Sequence, residues 1–351
     1  MRCFLITNNI EETKELENCS FVKTVLMLFV VLAHSIIFWG GEWFTKDPAE
    51  TSPFLYLIAQ WINSFHIYSF ALVSGYIFFH IKEEKNGYTS FKKFVVNKAK
   101  RLMVPYFFVA VVWAIPFQAF FFKYDLLTLI KNFIVPMNSN QLWFLWMLFD
   151  VFLLFWVLSR YFRNHTIISS FIVLLLYLIG VLMPSRIFGL FLIRTALCYV
   201  IFFWIGFKIR QYGFSIIKKV PISVWLVIDI LLFVLVQCLR EADGFLFKLM
   251  FYGFELLLHV VGSLMAFVVL QFVASKIEWK NSNFFMFLSK RTMTIYLFHQ
   301  QIIWIMICFL NGHIHPFLNG IINFVISIVV SILISNILMK SKIFTFLLGE
   351  K

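Results

Sequence analysis

Charge is what this sequence has least of. Asp, Glu, Lys and Arg together make up 13% of its 351 residues, while 62% are hydrophobic and 47 are phenylalanine. That composition excludes an ordinary soluble domain and leaves a polytopic membrane protein. Acidic residues are scarcer still, 17 against 30 Lys and Arg, for a formal charge of +13. Such a balance can signal nucleic acid, but the basic residues fall in short clusters between apolar runs. Binding the lipid surface and fixing topology account for them better, and no nucleic-acid partner is expected. Cysteine is sparse: Cys3, Cys19, Cys198, Cys238 and Cys308 are scattered without CxxC spacing, three of them inside apolar runs. Neither a disulfide framework nor a zinc site follows, and no metal is expected. There is no GxSxG elbow and no P-loop, which removes motif support for a serine hydrolase or a nucleotide-driven pump. No cleavable signal is expected, because Glu11, Glu12, Glu15 and Glu17 precede the first apolar run and no small-residue cleavage motif follows it.

What the chain does have is a succession of apolar runs. A helix needs about 20 mainly apolar residues to cross a bilayer, and ten runs approach this: 22–44, 54–80, 102–122, 142–159, 166–184, 188–207, 221–239, 245–273, 291–310 and 317–340. The divisions are least sharp around Pro116 and at the short turn "MPSRIFG". The expected fold is therefore all-α, with an N-terminal cytoplasmic segment 1–21, a ten-helix membrane domain 22–340 and a cytoplasmic tail 341–351. With the N-terminus inside, all but seven of the 30 Lys and Arg fall on the cytoplasmic side; the exceptions are Lys46, Lys123, Lys131, Arg186, Arg194, Arg240 and Lys248. That asymmetry places both termini in the cytoplasm. The densest cluster, "HIKEEKNGYTSFKKFVVNKAKRLMVPY", lies between the second and third runs. No loop is long enough for an independent soluble domain and no internal repeat appears, so any chemistry sits among the helices or at their ends.

Polar groups inside the runs are the candidates, since each costs free energy in hydrocarbon unless something uses or satisfies it. The first run, "FVKTVLMLFVVLAHSIIFW", holds His34 eleven residues after Lys23. Eleven residues are close to three full turns, so the two share a helix face roughly 16 Å apart along the axis. Lys23 sits at the inner interface, where it can meet a phosphate, and His34 lies deep. The alternative is a snorkelling lysine and a histidine bonded to a neighbouring helix. The second run contributes His66, with Ser74 and Gly75 beyond it, and the ninth contributes Tyr296 and His299 on one face at i, i+3. Three histidines on three helices can form one buried site or be unrelated packing residues. Lys98 and Arg101, one turn apart at the cytoplasmic boundary, can bind lipid headgroups or clamp a phosphate-bearing ligand. Asp150, Arg194, Asp229 and Glu255 are further buried ionisable groups. Glu255 and His259 can touch at i, i+4, but "ELLLH" is not a zinc-protease motif. For these groups interhelical salt bridges are the leading expectation, with substrate contact second.

In order along the chain, "VVLAHS", "FHIYSFALVSGYIF", "KAKRLMVPY", "QLWFLWMLF" and "TIYLFHQQI" resemble the acyltransferase family 3 integral-membrane proteins, in particular the bacterial members that O-acetylate surface polysaccharides. The resemblance implies acyl transfer, usually acetyl, from acyl-CoA to a sugar hydroxyl, in the plasma membrane of a bacterium (the inner membrane if Gram-negative). It implies His34 as the essential histidine, with His66 the second catalytic candidate, and Lys23, Lys98 and Arg101 as contacts for the phosphates of acyl-CoA. Ser74, Trp143, Glu255, Tyr296 and His299 are then candidates to contact substrate or shape the site. The family's usual arginines are lysines at Lys23 and Lys98, which keeps charge but loses the planar fork. The implied partners are membrane lipid, acetyl-CoA or another acyl-CoA as donor substrate, and a polysaccharide or lipid-linked glycan acceptor, with no tightly bound cofactor. A neutral imidazole can take the proton of an attacking hydroxyl or carry the acyl group itself. The competing reading is a transporter or flippase of lipid-linked sugars, but the Gly/Pro-broken helices in matching halves that mark that class are missing.

Overall fold

A computed structural model describes residues 2–41, 46–136, 139–184 and 190–350, and its regular elements are all helical. Among these residues nine helices are long and apolar enough to cross a membrane. In chain order they are span one (Thr13–Gly40), span two (Pro53–Glu84), span three (Phe91–Phe122), span four (Asn140–Asn164), span six (Leu190–Tyr212), span seven (Ile222–Arg240), span eight (Phe245–Lys276), span nine (Thr292–Leu310) and span ten (Pro316–Leu338). Span five, Thr166–Leu182, is apolar but shorter. The chain is thus an all-α polytopic membrane protein. The expected "MPSRIFG" turn lies mostly in 185–189, outside the described residues, as does the end of the first expected run.

Two local features decide where the site residues point. Proline has no N–H to give the carbonyl four residues back, so a continuous helix must widen a turn to accommodate one. Span three does this twice. The Val104 N–H reaches Ala99 O ahead of Pro105, and the Ile115 N–H reaches Ala110 O ahead of Pro116. The helix therefore begins at Phe91 rather than near 102, with Lys98 at the end of its first α-helical stretch and Arg101 on the π-helical turn that follows. Span two breaks at Ser64 and Phe65, where the Ser64 hydroxyl donates back to Trp61 O at 2.7 Å and competes with the helical ladder. His66 opens the second half of the span.

The bundle is held by aromatic packing and by one close helix crossing. Phe78, Phe155, Phe203 and Phe207 are fully buried, with Phe155 and Phe203 ring centroids 4.4 Å apart. Spans two and six meet at two glycines. A Cβ on Gly75 would lie 1.9 Å from Phe203 O, and one on Gly206 would lie 1.8 Å from Leu72 O. Only hydrogen fits at either position, the small-residue crossing found between membrane helices. Gly75 is thus a packing residue, and its neighbour Ser74 faces elsewhere.

Among the described residues the buried ionisable groups do not form the interhelical salt bridges expected of them. Arg194 caps the end of span five, donating from Nε to Gly180 O at 2.8 Å and from Nη2 to Val181 O at 3.3 Å. Bare carbonyls at a helix C-terminus accept hydrogen bonds from a cation and give it a favourable partner. Asp229 accepts from Trp61 Nε1–H at 2.8 Å and pins the break in span two. Asp150 Oδ2 is buried without a hydrogen-bond partner. Glu255 makes no ion pair with His259, whose ring instead stacks on Tyr68 with centroids 4.0 Å apart. The ion pairs lie at the basic end of the bundle, where Arg210 meets Glu84 at 2.6 Å and Lys218 meets Glu15 at 2.7 Å.

Candidate active site

His34 and His299, on spans one and nine, are hydrogen-bonded through Nδ1 of His34 and Nε2 of His299 at 2.9 Å, with the rings nearly parallel at an interplanar angle of 12°. The tautomers follow from the partners. His299 Nδ1 faces two carbonyls, Ile295 O at 3.0 Å and Tyr296 O at 2.8 Å, so this nitrogen carries the proton. In the neutral ring His299 Nε2 is then an acceptor, and His34 Nδ1–H must donate to it. That leaves the basic lone pair of His34 on Nε2. His66 has the same polarity: Nδ1–H donates to Ile62 O at 2.7 Å, and the buried Nε2 has no partner. It lies near enough to His34 for an electrostatic interaction but not in a hydrogen bond with it.

Below this pair, toward the basic end, lies a cavity of ≈300 Å³. Lys23, Met27 and Val30 of span one line it, and these residues and His34 repeat at intervals of three or four along one helix face. Ser74, Lys98, Arg101 and Tyr296 line it too, so five of the sequence-derived candidates share one wall system. Tyr296 joins the cavity to the histidines, its ring centroid 6.2 Å from that of His299. The cavity's cations stand apart from the others at the basic end. Lys98 Nζ sits over the Phe152 ring at 3.5 Å, and among the described residues Lys23, Lys98 and Arg101 form no ion pair. Three cations gathered on one concave surface, none of them held in an ion pair among the described residues, form an anion site by charge.

His34, His66, His299, Trp143 and Glu255 are not among the residues that line the cavity. Trp143 packs against Tyr199 with centroids 5.6 Å apart, and Glu255 is half-buried on span eight. Two residues that the sequence reading passed over are closer to the site. Gln141 and Gln301, both buried, exchange amide hydrogen bonds of 2.8 and 3.1 Å, and the Gln141 backbone N–H donates to Gln300 Oε1 at 3.0 Å. Tyr296 O–H donates to Gln141 O, and Trp113 Nε1–H to Gln301 Oε1 at 3.1 Å. This amide knot fixes span nine, and with it His299 and Tyr296, against spans three and four. The signal was present in "QLWFLW" and "FHQQI", whose adjacent amides inside apolar runs must find partners.

The family model described as an acyltransferase domain, acyltransferase family 3, matches residues 18–340. The chain belongs to that family of membrane acyltransferases. No curated protein and no solved structure gives a significant match.

Proposed function

We propose that the protein transfers an acyl group, acetyl in the simplest case, from acyl-CoA to a sugar hydroxyl of a surface polysaccharide or its lipid-linked precursor. The observation that carries this reading is the directed His34–His299 hydrogen bond beside a cavity with three unpaired cations. Lys23, Lys98 and Arg101 hold the donor's phosphates at the basic end, and its long flexible arm carries the thioester up the face of span one toward His34. His34 Nε2 takes the proton from the acceptor hydroxyl. The hydroxyl oxygen then bonds to the thioester carbonyl carbon, the C–S bond breaks, and the proton passes to the departing thiolate. His299 accepts from His34 Nδ1–H throughout and holds the ring in the tautomer that makes Nε2 basic, as the buried third member of a catalytic triad does. Low polarity around the pair favours transfer over hydrolysis of the thioester.

The test is transfer of radiolabelled acetyl from acetyl-CoA to a glycan fraction by membranes with and without the protein. Label in the glycan that depends on the protein and disappears in His34→Ala supports the reading. Movement of lipid-linked sugar across the membrane with no label transferred would replace it with the transporter.

A further inference from the structure

The sequence after span ten reads as a solvent-facing tail, but the structure folds it back over the cavity. Lys342–Leu347 is a short helix, and the turn that ends it is closed by two backbone bonds, Glu350 N–H to Thr345 O at 3.1 Å and Gly349 N–H to Phe346 O at 3.0 Å. Gly349 is left-handed, with φ +71°. This pairing of bonds about a left-handed glycine is the Schellman helix stop. It seats the tail firmly. Leu348 is 0% exposed within the main core, and Phe344 packs near Phe108 with centroids 6.0 Å apart. A Cβ on Gly349 would come within 2.6 Å of Pro105 Cγ and 2.9 Å of Arg101 O, the carbonyl whose usual helical donor Pro105 removes. The residue delivered by this turn is Glu350. It lines the same cavity as Lys23, Lys98 and Arg101, and its Oε1 is buried with no hydrogen-bond partner. Burial pushes its carboxyl up, while Arg101 and Arg291 pull it down.

We propose that residues 342–350 form a strap across the basic end of the donor cavity, and that the Glu350 carboxylate stands where an anionic group of the donor binds and is displaced by it. The glycine-dependent turn presents the only carboxylate among the described residues lining a cavity of three cations. Near Arg101 but with Oε1 bonded to nothing, the carboxylate offsets part of the site's positive charge when it is empty and gives way without breaking a tight ion pair. The strap sets the affinity for the donor and keeps weaker anions out. The proposal rests on the donor-site reading only for the identity of the anion.

The test measures binding of pyrophosphate and of coenzyme A to purified protein in nanodiscs for wild type, Glu350→Gln and Gly349→Ala. Gln keeps the shape and removes the charge; Ala unseats the turn through its Cβ. Both variants are expected to bind both probes about three- to tenfold more tightly, as loss of a competing charge requires. Hydrogen exchange of residues 342–350 in wild type is expected to rise when pyrophosphate binds. Unchanged or weaker pyrophosphate binding in folded Glu350→Gln, or a tail that becomes more protected with the probe, overturns the strap. Pyrophosphate binding that tightens in the variants while coenzyme A binds to none of them sustains the strap and sinks acyl-CoA as the donor. Coenzyme A binding to wild type with no gain in either variant does the reverse.

Discussion

The role assigned to His299 makes a prediction that separates it from a packing residue. His299→Ala deletes the acceptor for His34 Nδ1–H and leaves the fold's other contacts to span nine, including the Gln141–Gln301 knot, in place. The loss of one hydrogen bond that leaves a buried donor unpaired costs about 1–3 kcal/mol. If that bond holds the reactive tautomer through the reaction, the cost falls on kcat, as about a fivefold to 150-fold decrease. The donor KM should change little, because the phosphate contacts proposed for Lys23, Lys98 and Arg101 lie toward the other end of the cavity. His299→Gln, whose side-chain oxygen can accept in place of Nε2, should recover part of the rate. His34→Ala removes the base itself and should cost roughly 10²–10⁴. The assay is steady-state acetyl transfer by purified, folded protein, varying acetyl-CoA at fixed acceptor. A His299→Ala enzyme within twofold of wild type, or one whose defect is all in KM with no rescue by Gln, would refute the tautomer argument.

Three further outcomes are expected. Arg101→Ala should weaken acyl-CoA affinity about tenfold to a hundredfold with acceptor affinity little changed, and Arg101→Lys should recover only part, since a charge-assisted contact contributes about 1.5–3 kcal/mol and lysine lacks the fork; unchanged titration of acyl-CoA with the folded Ala variant argues for a lipid anchor instead. Reporter fusions at Lys351 and near Asn86 should both read cytoplasmic, and an external signal at either would break the assignment of the basic end to the inner face. Gly206→Ala, with its Cβ 1.8 Å from Leu72 O, should force spans two and six apart and destabilise the protein by about 1–3 kcal/mol or more, read as a lower melting temperature in detergent.

The helices were legible because apolar length is a local property that each run shows by itself. His34, His66 and His299 were legible for the complementary reason: an imidazole in a hydrocarbon-length run stands out. Their arrangement was not legible. The partners in the His34–His299 bond are 265 residues apart, and nothing in either motif says which nitrogen faces which. The leading expectation of salt bridges for Asp150, Arg194, Asp229 and Glu255 failed because a buried charge can also be satisfied by neutral donors and acceptors. Arg194 found helix-end carbonyls and Asp229 an indole N–H. Gln141 and Gln301 escaped notice because a neutral amide carries no charge to flag, although burying one unpaired is costly too. Glu350 was missed since a polar residue beyond the last apolar run reads as solvated, and only the left-handed Gly349 turns it back.

One helix face links the two halves of the site. Lys23, Met27, Val30 and His34 lie along it, with the cation at the basic end and the imidazole deep in the bundle. A helix is stiff along its axis, so the separation of roughly 16 Å between Lys23 and His34 is fixed by geometry and not by loop conformation. Such a ruler rewards a donor whose anionic group and reactive carbon are joined by an arm that spans it. With the proposed roles of Lys23 and His34, it would reject small acyl phosphates, in which charge and carbonyl are adjacent and cannot reach both residues at once. Span nine completes the measurement from the other side. The amide knot through Gln141, Gln300 and Gln301 holds His299 against His34, while Tyr296, one turn away, closes the cavity between them. On the proposed reading, selection for a long, anionic acyl donor is built into rigid elements, and the parts that move to admit it are the side chains at the basic end and the proposed strap that carries Glu350.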